Sequence, residues 1–206
     1  MLHTTLTLLR RFDACGQDRP TGSYCKLVAS LPKGLVDDTP ITLLHILESN
    51  GIEDAIWALR ATVEPIGEDM AIELACRAAE RVLPLFEKHQ PGDNRPREYI
   101  EAIRAYGRGE ITLEVLREKR ANTHATYAAG TSAAYAAAYA TSAATSACAA
   151  ATSATSGTSA ATSAAYATSA AASAAYAAAA ASVGGGGRKA ERDAQAADYR
   201  ELLAKF

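Results

Sequence analysis

The chain has 206 residues and a formal net charge of −2, a length that suits one domain with or without an appendage. Residues 1–120 hold 16 of the 21 basic and 19 of the 23 acidic side chains, so no basic face of the kind that grips nucleic acid stands out. Aromatics make up only 6% and the larger apolar side chains fall before residue 120, which places a conventional core there.

The N-terminal segment Met1–Leu6 has no basic n-region, and Arg10-Arg11 follow at once, so it does not read as a signal peptide. Leu6, Leu8, Leu9 and Phe12 form a short apolar helical face, with Gly16 as a left-handed stop. Residues 17–22 read as a loop. Ser23 is a candidate cap for a second short helix carrying Tyr24, Leu27, Val28 and Leu31. Pro32 and Gly34 end it. Residues 41–48 suit either a buried helix or a strand, and Asn50-Gly51 terminates them. Ile52, Ile56 and Leu59 then share one helical face, with Glu53 and Asp54 in the first turn and Arg60 in the last, as the helix dipole favours.

Pro65 and Gly67 break the chain. From Glu68 a long helix follows the spacing of Met70, Leu74, Ala78, Val82 and Leu85, with Pro84 expected to kink or end it. After a loop at residues 90–94, Asn94 and Pro96 open a further helix with Ile100, Ile103 and Tyr106 on its buried face. Its Arg95, Arg97, Arg104 and Arg108 interleave with Glu98, Glu101 and Glu110, which reads as a solvated face. Thr112 caps one more helix with Leu113 and Leu116 inward, expected to run on into the next segment.

Residues 121–187 contain no Asp, Glu, Lys or Arg. Roughly half of residues 125–182 is Ala and a third Ser or Thr. The Thr-Ser pairs at Thr131, Thr141, Thr145, Thr152 and Thr155 fall within an arc of roughly 120° on a helix turning about 100° per residue. Tyr135 and Tyr139 flank that arc, and Gly157 marks a break. Two helices, or one helix with a weak point, both fit. The hydroxyls suit a solvated face bonded to the preceding turn. A flat binding surface, for ice or for a partner, is the alternative. Such small residues also let helix backbones approach closely, which admits a homo-oligomer. The tract is long enough to cross a bilayer but too rich in Ser and Thr, so no membrane span is expected. Residues 184–187 read as a glycine linker. Residues 188–206 follow as an amphipathic helix with Tyr199, Leu202, Leu203 and Phe206 on its apolar side.

The domain reading is therefore a helical globular domain over 1–120, an Ala/Thr/Ser-rich helical tract over 121–183, the linker, and the terminal helix. The class is all-α: a compact helical domain continued by long Ala-rich helices packed as a hairpin or bundle, with the last helix docking back. No catalytic motif, cofactor motif or metal-ligand spacing appears. The four cysteines lack a C-x-x-C pair, so buried thiols are expected, although Cys15 and Cys25 are close enough in sequence to bridge in an oxidising compartment. His3, His45, His89 and His124 are scattered, and His45 lies within an apolar segment as a core histidine does. An enzyme assembled from His45, Glu48, Asp54 and Arg60 is the weakest of the functional readings.

The segment from Leu44 to Arg60, LHILESNGIEDAIWALR, resembles a group of phage and metagenomic proteins with this core followed by a long Ala-rich repeat. Residues 75–87, Arg95-Pro96-Arg97, residues 107–112 and residues 194–203 are similar to proteins with an Imm-5-like immunity domain. Those relatives place Arg, Asp or Trp within the tract, where this chain has Thr-Ser and Tyr. The resemblance implies a non-enzymatic accessory protein of a phage or mobile element in the bacterial cytoplasm. It would bind a host or competitor component, as an inhibitor or immunity protein does. Its partner would be a protein or small ligand, and its motif surface would present Glu48, Asn50, Asp54, Trp57 and Arg60. A structural or ice-binding protein is the alternative.

Overall fold

The computed structural model describes residues 2–14, 16–17, 19–63, 67–124 and 186–205. These residues are predominantly helical, with one two-stranded sheet. The chain opens on β1 (His3–Thr4), which pairs antiparallel with β2 (Ile41–Thr42) in the register His3 to Thr42 and Thr4 to Ile41. The apolar run at 41–48 thus divides between strand and helix. Thr42 closes the strand and caps α3 (Leu43–Asn50) by accepting the His45 N–H. Thr5 does the same for α1 (Leu6–Arg11), accepting from Leu8 N. The first helix is therefore shorter than its apolar face suggests, ending at Phe12.

In α2 (Ser23–Ser30) the cap is Gly22, one residue before the expected Ser23. A Cβ placed on Gly16 would lie 2.4 Å from the Cα of Gly22, so backbone contact demands glycine at both places. Gly51 ends α3 and begins α4 (Ile52–Ala58), which tightens into a 3-10 turn at Leu59–Ala61. The buried Thr4 hydroxyl donates to Ala61 O at 2.6 Å, and Val63 N donates to His3 O, so the short sheet is locked to the end of that turn.

The long helix α5 (Gly67–His89) continues through Pro84. That proline is exposed, so the helix forgoes one N–H bond to the Glu80 carbonyl without burying an orphan group. α6 (Arg95–Gly107) packs beside it and α7 (Leu113–His124) packs on α6, with Thr112 accepting from Val115 N at the start of α7. Leu116 is fully buried and Leu113 only partly so.

The last helix, α8 (Gly186–Leu203), begins two residues inside the expected glycine linker. Glu191, Gln195, Tyr199, Leu202 and Leu203 form its buried stripe. That stripe packs on α3, α4 and α5, so the C-terminal helix completes the core built by the first half of the chain. Fully buried Leu43, Ile46, Ile56, Leu59, Met70, Tyr99, Ile103 and Tyr199 mark that core.

Candidate interaction site

The motif residues lie on and around the α3–α4 hairpin. Asn50, the last residue of α3, donates from Nδ2 to Ser23 O at 2.7 Å and to Asp54 Oδ2 at 2.8 Å. One amide therefore ties α2, α3 and α4 together. Trp57 is half-buried one turn beyond Asp54. The guanidinium of Arg60 lies 4.7 Å from its ring centroid, while Arg60 Nε donates to Trp57 O. Asn50, Asp54 and Trp57 line a small cleft of about 50 Å³ together with Leu9, Tyr24 and Ile46. The fold thus gathers three of the five predicted motif residues at one opening and places Arg60 against the third. Glu48 is exposed and does not line the cleft. The predicted Thr and Tyr face, residues 131, 135, 139, 141, 145, 152 and 155, lies outside the described residues.

On the other side of the same hairpin runs a larger groove of about 560 Å³. One wall is Leu47, Gly51, Ile52 and Glu53; the other is α8, through Arg188, Lys189, Arg192 and Arg200. Arg192 pairs with Glu53 across the groove, and Lys189 with Asp193 along α8.

Beneath α8 an ionic network joins it to α5 and α6. Arg81 forks onto Glu191, with Nη2 to Oε1 at 2.9 Å, and also pairs with Asp198. Arg77 reaches Asp198, Glu201 and Glu73. Arg104 of α6 takes Glu73 and Glu80 of α5. This corrects the reading of the Arg-rich α6 as a wholly solvated face: Arg104 turns inward to two carboxylates, while Arg97 and Arg108 do pair near the surface, with Glu87 and Glu110. Burial pushes the Glu73 carboxyl up, but hydrogen bonds from Arg104 and Arg77 outweigh it and hold it below its ordinary range.

Sequence reasoning missed the pairs between α5 and α8 because those partners are more than a hundred residues apart. The visible signal was the four-residue spacing of Glu73, Arg77 and Arg81.

Ser30 Oγ donates to Leu27 O at 2.7 Å and lies 2.9 Å from His45 Nε2. His45 is half-buried, not core. Cys25 is a free thiol and Cys76 is buried; Cys15 and Cys148 lie outside the described residues. Among the described residues no group of three or more His, Cys, Asp or Glu could hold a metal ion. No helix among them is long and apolar enough to cross a membrane.

The described residues thus define an all-α protein whose α3–α4 hairpin borders both the cleft of Asn50, Asp54 and Trp57 and the groove shared with α8. The chain belongs to the family described as "Imm-5 like putative immunity protein", whose model matches residues 68–202. No curated protein and no solved structure matches it. The match takes in α5 to α8, including the ionic network, whereas the α3–α4 hairpin precedes it.

Proposed function

We propose that this protein is a non-enzymatic immunity-type binder that neutralises a harmful protein by holding it in a stable complex. Membership of the immunity family sets the class. The observation that carries the binding surface is the Arg60 guanidinium stacked on half-buried Trp57 beside an apolar cleft. Trp, Tyr and Arg dominate binding energy at protein interfaces when they border a pocket that sheds water. Tyr24, which lines the same cleft, supplies a third such side chain. The resemblance over residues 44–60 supports the setting: a phage or mobile-element accessory protein in the bacterial cytoplasm, directed at a host or competitor component.

The test is co-expression with a captured partner. That partner should be toxic alone, harmless beside this chain, and recovered in a stable complex with its mass unchanged. Trp57→Ala and Arg60→Ala should each weaken the complex at least about tenfold while helicity is retained. A partner whose mass has changed, or protection that persists with no complex, would overturn the binding reading.

A further inference from the structure

The cleft beside Trp57 holds a negative charge that the fold does not balance. Leu9, Ala14, Ile46 and Ala58 give it apolar walls, and among the described residues that line it Asp54 alone is charged. Asp54 is half-buried, and its hydrogen bond, through Oδ2, comes from the neutral Asn50 amide. No described Lys, Arg or His pairs with it: Arg60 stacks on Trp57, and Arg10 pairs with Asp37. Asn50 also donates to Ser23 O and accepts from Ser49 Oγ, so the carboxylate is held in place before any partner arrives. A carboxylate set among apolar walls is less well hydrated than one on an open surface, and gains correspondingly more from an incoming cation.

We propose that this cleft receives a lysine side chain of the protein partner, its ammonium on the Asp54 carboxylate and its stem along the apolar walls. The inference rests on the binder reading above and names the chemistry that its cleft selects. A volume of about 50 Å³ takes the last atoms of one slender side chain and falls well short of the roughly 150 Å³ that admits a benzene ring. Lysine carries a compact charge on a four-carbon stem, which matches one carboxylate at the edge of an apolar recess. A wholly apolar side chain would exclude water from Asp54 and give it no partner. An acidic side chain would meet a like charge. A bare calcium or magnesium ion would find a single carboxylate where about six oxygen ligands are needed.

The test is a titration of the full chain followed by its own fluorescence, because Trp57 is the one tryptophan of the chain and reports on the cleft directly. The probes are Nα-acetyl-lysine methylamide, its Nε-acetylated form and the norleucine analogue, at constant low ionic strength. The lysine probe alone should change the emission, with half-saturation at about millimolar concentration. Asp54→Asn keeps an acceptor for the Asn50 amide and should weaken that binding by about tenfold. Glu114→Gln removes an acid from the first turn of another helix, outside the cleft, and should leave it unaltered. No response to the lysine probe, an equal response to either neutral probe, or equal binding to Asp54→Asn would overturn the proposal. If Asp54→Asn neutralises the toxic partner as well as the unaltered chain does, the lysine site is overturned and the binder reading stands. If the lysine probe binds as expected but no partner is neutralised, the binder reading falls and the lysine site stands.

Discussion

The hydroxyl of Tyr199 donates to the main-chain carbonyl of Ala55 at 2.7 Å, with both residues fully buried. The N–H groups at the C-terminal cap of α4 turn to Ile56 and Trp57, and the Ala55 carbonyl takes the phenol of α8. One bond thus closes the end of one helix with the side chain of another, 144 residues away. Burial pushes the Tyr199 phenol well above its ordinary value, so it remains a donor throughout the range in which the protein folds. Tyr199→Phe should keep the packing and leave a buried carbonyl without this donor, costing about 1–2 kcal/mol in urea denaturation. A loss within error of zero would show that the bond contributes nothing net.

Arg81 and Glu191 should behave as a coupled pair. Glu191 is only 6% exposed and takes the Arg81 fork together with the Gln195 amide. Arg81→Met strands that carboxylate and should cost about 3 kcal/mol. Adding Glu191→Met should recover part of the loss, because the stranded charge goes with it. A double variant less stable than the single would contradict this account of the pair.

Gly51 should not tolerate a side chain, for reasons of backbone alone. Its φ of 103° and ψ of 179° lie in a region open essentially to glycine. The nearest atom to an added Cβ is Glu53 Oε2 at 3.8 Å, so no clash contributes. Gly51→Ala should therefore lose about 1–3 kcal/mol through strain. A neutral substitution would mean that the hairpin between α3 and α4 can relax to another conformation.

Acid should unlatch α8. Hydrogen bonds from Arg77 and Lys205 lower the Glu201 carboxyl from its ordinary 4.5 to about 2. Glu73 is lowered too, by Arg104 and Arg77 acting against burial. A depressed carboxylate stabilises the fold above its unfolded pKa and loses that contribution as pH falls through its folded pKa. The urea midpoint should therefore fall as pH drops from about 4.5 towards about 2, and Glu201→Gln should flatten part of that fall. An identical slope in the variant would remove Glu201 from the explanation.

Much of the helical plan was legible because it rests on local signals. Thr112 as a cap, Pro96 in a first turn and the periodic run from Met70 to Val82 all carry their structure in neighbouring residues. The run at 41–48 was ambiguous for an equally local reason: its strand half exists only because His3 and Thr4 arrive to pair with it. The candidate site was legible in part. Asn50, Asp54 and Trp57 were visible as a motif, but the cleft they share needs Leu9 and Tyr24 from helices that sequence spacing cannot orient.

By itself, then, the sequence determined the helical class, several of the cap and turn positions, and the apolar part of the stripe on the last helix that had to be buried. Periodicity and capping are properties of residues within a few positions of one another, so they survive without the fold. Only the tertiary structure decided where that stripe goes. Docking α8 against α3, α4 and α5 turns Tyr199 into a cap for α4 and gives Arg77 and Arg81 their carboxylates. It also brings Arg192 against Glu53 of α4. Charges so far apart in sequence acquire partners only when burial of the apolar stripe fixes which way the helix faces.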